Sequence, residues 1–237
     1  LTALRVARHT EKEPLMISYL VVIAIRSVAM GTANEILRAG PVTADLHKEL
    51  EAELARADSP ELYRWSLRSE RAYALDAFEE LNVAGWLTRG YNNDEKRFYL
   101  DKMDGWIAAA DDSYTKFQAN TAAVGPPVPG VRHWMARLVE PAIVKVREAD
   151  FRVRCLGRSL RVVNALTAKD FKEVPAKLTD LGLPATATID PYTDKPLIVK
   201  RLDGQWVVYG LGPNLKDDNG LFDHFEDVGY GPVKAEK

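Results

Sequence analysis

The apolar positions of this chain change their spacing twice, and the changes divide it into parts. Apolar residues persist over 14–37 and include the most apolar run, residues 15–25 (LMISYLVVIAI), which Arg26 ends. Pro14 suits a first helical turn, and Gly40-Pro41 supplies the stop. The run is short of the ~20 residues that span a bilayer, so the pattern predicts a buried helix. Thr43 can cap a second helix through Ala57, with Asp45, Glu49, Glu51 and Glu53 as its solvated face. Ser59-Pro60 opens a third, expected to reach Leu81 and end near Gly85. Asn93 or Asp94 opens a fourth, carrying Phe98, Met103, Trp106 and Ile107 to Ala123, before the breakers Gly125-Pro126-Pro127 and Pro129-Gly130.

Over 131–167 the spacing becomes more regular, with Pro141 as a kink or a fresh start. Val146, Ala149, Val153, Leu156, Leu160 and Val163 alternate steps of three and four residues. That is a narrow seam of heptad type, and it predicts one long helix with Val153, Leu156 and Leu160 buried along one face. The period then falls to two. After an irregular connector marked by Pro175, Gly182, Pro184, Pro191 and Pro196, the runs 197–202 and 205–211 read as strands. Asp203-Gly204 between them suits a two-residue type I′ turn, whose positive φ values match strand twist. The pattern is α+β, mostly α. A helical array fills 1–140, and in 141–237 a long helix packs on a small antiparallel sheet.

Composition narrows the class without naming a reaction. With 237 residues, 46% hydrophobic and 28% charged, the chain is globular and neither disordered nor collagenous. Its 34 acidic and 32 basic residues leave a net charge of −2, so no nucleic acid or anionic lipid is drawn by the molecule as a whole. Within 132–161, eight Lys or Arg face three Asp or Glu. A solvated face or contacts with the acidic helices accounts for them, since no nucleic-acid motif accompanies the charge. The single cysteine cannot close a disulfide within the chain, and it leaves the redox compartment open. Leu1 stands where a complete chain would begin with methionine, as expected of a piece of something longer.

Few residues suggest chemistry. His9, His47, His133 and His224 are scattered, without metal-ligand spacing. Ser113 and Lys116 match S-x-x-K, but no K-T-G follows. Cys155 lies beside the seam and reads as a packed thiol. Gly210 and Gly212 lack a third glycine and a helix start, so they read as a turn and not a phosphate loop. The exception is an acidic loop: Asp217, Asp218, Asn219, Asp223, Glu226 and Asp227 put six oxygen-bearing side chains within eleven residues. Calcium takes six to eight oxygens from such irregular loops. An EF-hand is excluded, because Leu221 and Phe222 stand where an oxygen and a glycine are needed. A solvated turn is the alternative.

The C-terminal third also carries an ordered set of motifs. Leu181-Gly182-Leu183-Pro184, then Asp190-Pro191 to Pro196-Leu197, then Tyr209-Gly210-Leu211-Gly212-Pro213-Asn214, then Asp217-Asp218 and Asp227-Val228 follow one another. This order resembles the head of type II secretion major pseudopilins. More closely, it resembles a group of uncharacterised bacterial envelope proteins with such a head at the C-terminus, and the likeness spans about residues 146–232. The resemblance implies a calcium ion held first by Asp218 and Asp227, with Asp217 and Asp223 behind them. It also implies an extracytoplasmic setting and a membrane anchor upstream of this piece. In pseudopilins the long helix starts the chain and builds the fibre, whereas here some 140 residues precede it. The head's fold is therefore expected without fibre assembly.

These observations point to a non-enzymatic cell-envelope protein that binds other envelope proteins. The alternative is a hydrolase-type enzyme with a cleft between the helical part and the head, drawing on Ser113, Lys116, Cys155 or His133. A third possibility is a scaffold whose basic helix holds nucleic acid or anionic lipid.

Overall fold

The computed structural model describes residues 1–13, 15–81, 89–123, 133–202, 204–222 and 226–231. Its helices are α1 (Thr2–Thr10), α2 (Met16–Ala39), α3 (Ala44–Ala57), α4 (Glu61–Leu81), α5 (Arg89–Ala108), α6 (Tyr114–Ala123) and α7 (Trp134–Ala168). Single turns of tighter helix at Leu178–Leu181 and Ala185–Thr188 lead to β1 (Ile198–Leu202), β2 (Gln205–Gly210) and β3 (Val228–Tyr230). The three strands form one antiparallel sheet with β2 in the centre. The α+β, mostly helical architecture is as the pattern of breakers and periods predicts.

Local chemistry explains several boundaries. The Thr43 hydroxyl accepts from the Leu46 N–H at 3.3 Å, and the Ser59 hydroxyl accepts from the Glu61 N–H at 3.2 Å. Each satisfies an N–H that the first turn leaves free. Leu202 pairs with Gln205, which leaves a two-residue hairpin loop, and Gly204 holds φ +76° there. Pro14, Asp203, the expected stop at Gly85 and the 125–130 breakers lie outside the described residues.

α7 organises the molecule. It packs against α2 and α3 on one side and against β2 and β3 on the other. From Cys155 to Leu166 every residue except Leu156 is buried. The expectation of one narrow buried seam is thus corrected: the helix is enclosed all round, as a helix between two layers must be. Val153 (5% exposed) and Leu160 (0%) are buried as expected, and Leu156 is half-buried. One apolar core runs from Leu4 and Tyr19 through Leu160 to Val208 and Val228. The sequence boundary placed near residue 140 falls within α7.

The expected fourth helix is two helices. α5 starts at Arg89, ahead of Asn93, and a tight turn at Ala109–Asp111 with extended backbone at Asp112 separates it from α6. Asp and Ser side chains compete with the helical ladder here, and the Asp112 carbonyl accepts from the Arg147 guanidinium at 3.0 Å. The helix α1, which the sequence reading omits, buries Leu4 and Ala7.

The acidic face of α3 is solvated only in part: Asp45 and Glu49 are exposed as expected, whereas Glu53 is buried. Glu53 meets Arg8 at 2.7 Å, Glu49 meets Arg5 at 2.7 Å, and Glu51 meets Arg161 at 2.6 Å. Basic residues of α7 are spent in the same way. Arg158 lies 2.8 Å from Asp58, Arg154 lies 3.4 Å from it, and Arg147 lies 2.7 Å from Asp150. Arg154, Arg158 and Arg161 thus reach α3 and its end, Arg147 pairs within α7, and Lys145 stays exposed.

By length and composition α2 could cross a membrane, and 44% of its most apolar stretch is buried inside the fold. Arg26 in its middle is buried and paired with Glu11 at 2.8 Å, and Tyr19 donates to Asp150 of α7 at 2.5 Å. In this structure one face of α2 lies in the core, while Ile17, Val21, Val28 and Ile36 are exposed.

Candidate functional site

The acidic loop closes over the sheet through its own carboxylates. Asp217 accepts from the Tyr209 hydroxyl of β2 at 2.8 Å and from the Asn219 N–H at 2.9 Å, and its second oxygen lies 3.7 Å from Lys200 of β1. The Tyr209 hydrogen bond, helped by the Asn219 N–H and Lys200, holds the Asp217 carboxyl below its ordinary range. Asp218 accepts from the Asn214 amide at 2.7 Å. Asp223 and His224 lie outside the described residues.

Asp227 differs from its neighbours. It stands immediately before β3 and is 0% exposed. Its Oδ2 accepts from the Gly220 N–H at 2.7 Å, while Oδ1 is buried without a hydrogen-bond partner. Gly220 can make that approach because φ is +79° there, a region open to glycine. Burial raises the Asp227 carboxyl above its ordinary range, and the Asp217 and Asp218 charges raise it further against the N–H groups of Gly220 and Asp218. A buried carboxylate oxygen with no donor is a place for a proton or a cation. Among the described residues no three carboxylate, imidazole or thiol side chains converge as a metal cage. The described part of the loop therefore offers an orphaned anionic oxygen and neighbouring carboxylates, and carbonyls would have to complete any shell.

A second buried carboxylate, Asp190, is fully satisfied and structural. It accepts from the Tyr192 N–H at 2.9 Å, the Thr193 hydroxyl at 2.8 Å and the Leu211 N–H at 3.1 Å. It thus ties the connector to the end of β2. The glycines after β2 serve this packing. At Gly212 φ is +63° and a side chain would strike the Glu226 carbonyl. The turn reading of Gly210 and Gly212 fits these contacts.

The residues weighed for catalysis do not converge. The Ser113 hydroxyl is 3.1 Å from that of Thr115, while Lys116 is exposed and lies 3.9 Å from Asp112. Cys155 is fully buried, donates to the Val228 carbonyl at 3.2 Å, and burial pushes its thiol far above the usual range, with Asp190 adding to the effect. His133 stacks on Phe98 at 3.9 Å at the start of α7. At ~1.5 Å per residue it is roughly 33 Å along the helix from Cys155. His47 is engaged with Asn164 at 2.7 Å. A cleft between helices and head does exist, with a volume of about 400 Å³, and Ser113, Lys116, Cys155 and His133 are all absent from its described lining.

Sequence reasoning did not single out Asp190 as a hub, or Tyr114, Arg152 and Tyr192 as walls of that cleft. Asp-Pro before a turn was a readable sign for the first. The second depends on three distant segments meeting. No family model, curated protein or solved structure matches the chain.

Proposed function

We propose that this chain is a non-catalytic protein of the cell envelope in which a helical array carries a pseudopilin-like head for contact with other envelope proteins. In this reading calcium ties the loop 217–227 to the sheet, held by Asp218 and Asp227 with Asp217 and Asp223 behind them. The observation that carries it is the Asp227 carboxylate, fully buried before β3, whose Oδ1 has no hydrogen-bond partner among the described residues. The motif order over 146–232 supports the envelope setting, as does the long helix against a small antiparallel sheet.

Calorimetric titration of the chain with calcium chloride tests the reading. One ion per chain should bind, magnesium should bind more weakly because it demands strict octahedral geometry, and Asp227→Asn should abolish the heat. Absence of heat at millimolar calcium would reduce the loop to a self-contained acidic turn.

A further inference from the structure

The face of α2 turned away from α7 carries an apolar row that the fold leaves uncovered. Ile17, Val21, Ala24 and Val28 are exposed, Ile17 at 64% and Val28 at 72%, and Gly31 and Glu35 continue the row. Its steps of four and three residues alternate as in a coiled-coil seam, and at ~1.5 Å per residue the row runs roughly 27 Å along the helix. Between Glu13 and Glu35 the only charge is Arg26, which is buried and paired with Glu11. A long uncharged apolar stripe facing water marks a contact surface.

The stripe is complementary to itself when a second copy is turned end to end. A two-fold axis level with Arg26 sets Val28 of each copy against Ala24 of the other, and Val21 against Gly31, so a large side chain meets a small one in every layer. Gly31 fits this use. A Cβ there would meet nothing of its own chain within 4 Å, and glycine inside a helix is unfavourable, so packing within the fold does not call for it. Charge selects the direction. Glu35 and Lys12 are exposed and make no ion pair among the described residues. Antiparallel pairing brings Glu35 beside the partner's Ile17, at the positive N-terminal end of that helix and close to Lys12 in the turn before it. Parallel pairing would set the two Glu35 carboxylates against each other.

We propose that α2 pairs antiparallel with α2 of a second copy of this chain, forming a two-fold dimer through Ile17, Val21, Ala24, Val28 and Gly31. About ten residues a side meet, against the 20–30 of a standard interface, so the dimer is weak and its Kd lies in the micromolar range. A lipid surface suits the stripe less well, because basic residues should border it and Glu35 stands within the row.

Sedimentation equilibrium from micromolar to millimolar chain, with cysteine cross-linking beside it, tests the proposal. The parent should pass from monomer to dimer and go no further, because a two-fold contact closes on itself. Val28→Glu, at an exposed site, should weaken association about tenfold or more while leaving the monomer's Tm unchanged. Gly31→Ala should raise the monomer's Tm, since alanine favours the helix and its methyl meets nothing in its own chain, and yet weaken association several-fold. On mild oxidation a mixture of Ala24→Cys and Val28→Cys chains should cross-link faster than either alone, with the buried Cys155 silent. A monomer at millimolar concentration, association that Val28→Glu leaves unchanged, or cross-linking no faster in the mixture would each overturn the proposal. So would flotation of a monomeric chain with vesicles of phosphatidylcholine and phosphatidylglycerol, which would assign the stripe to lipid.

Discussion

Gly210 lies directly against the Asp190 carboxyl: a Cβ on this glycine would sit 2.6 Å from Asp190 Cγ and 2.8 Å from Cys155 Sγ. The contact joins the end of β2, the connector and the middle of α7 at one point where only a backbone fits.

Gly210→Ala should therefore destabilise the chain by ~1–3 kcal/mol, the usual cost of forcing atoms into a packed core. Asp190→Ala should cost at least as much, because it strands the N–H groups of Tyr192 and Leu211. Urea denaturation measures both. An unchanged midpoint for either would mean that the connector does not depend on this junction.

Leu160 and Leu156 provide a paired test of how α7 is enclosed. Leu160→Ala, at a fully buried site, should cost ~2–5 kcal/mol. Leu156→Ala should cost clearly less, since Leu156 is only half-buried. Equal losses in denaturant melts would restore the single-seam picture that the sequence suggests.

Arg147 is 2% exposed, pairs with Asp150 at 2.7 Å, and stacks over Phe151 at 4.2 Å. Arg147→Met should cost up to ~3–5 kcal/mol, because it removes the closest charge partner of a buried carboxylate that then keeps only the Tyr19 hydroxyl and Arg154 at 3.9 Å. Adding Asp150→Asn should recover part of that loss, and a double-mutant cycle reads the coupling. Strict additivity would show that the pair is not coupled.

How far the sequence could be read depends on whether a feature is local. The caps at Thr43 and Ser59, the stop at Gly40, the hairpin around Gly204 and the extent of α7 rest on neighbours in the chain, and they were legible. The break between α5 and α6 was not, because it answers to Arg147, 35 residues beyond Asp112. Nor could the acidic face of α3 be told from a wholly solvated one until Arg8 and Arg161 were placed beside it. β3 has only three residues and too short a pattern to show a period. In the acidic loop, sequence supplied the carboxylates, while the distinction between exposed Asp217 and buried Asp227 came only with the fold.

That distinction gives the pH dependence a definite sign. Burial raises Asp227 in the folded chain, so its contribution favours the folded state when protonated and is lost as pH rises from ~4, the ordinary carboxyl range, through the raised value. Without calcium, Asp227→Asn should be more stable than the parent at pH 7.5, and the difference should disappear below about pH 4.

Thermal unfolding at pH 7.5, with and without calcium, tests the role of Asp227 most directly. At a free calcium concentration one hundred times Kd the gain should be ~2.7 kcal/mol, a rise in Tm of roughly 5–10 °C for a chain of this size. Asp227→Asn should show no rise, and the parent's rise should shrink toward pH 4 as protons compete for the same oxygen. A Tm that stays unchanged at millimolar calcium, or one that rises equally in parent and Asp227→Asn, would contradict the calcium-clamped loop.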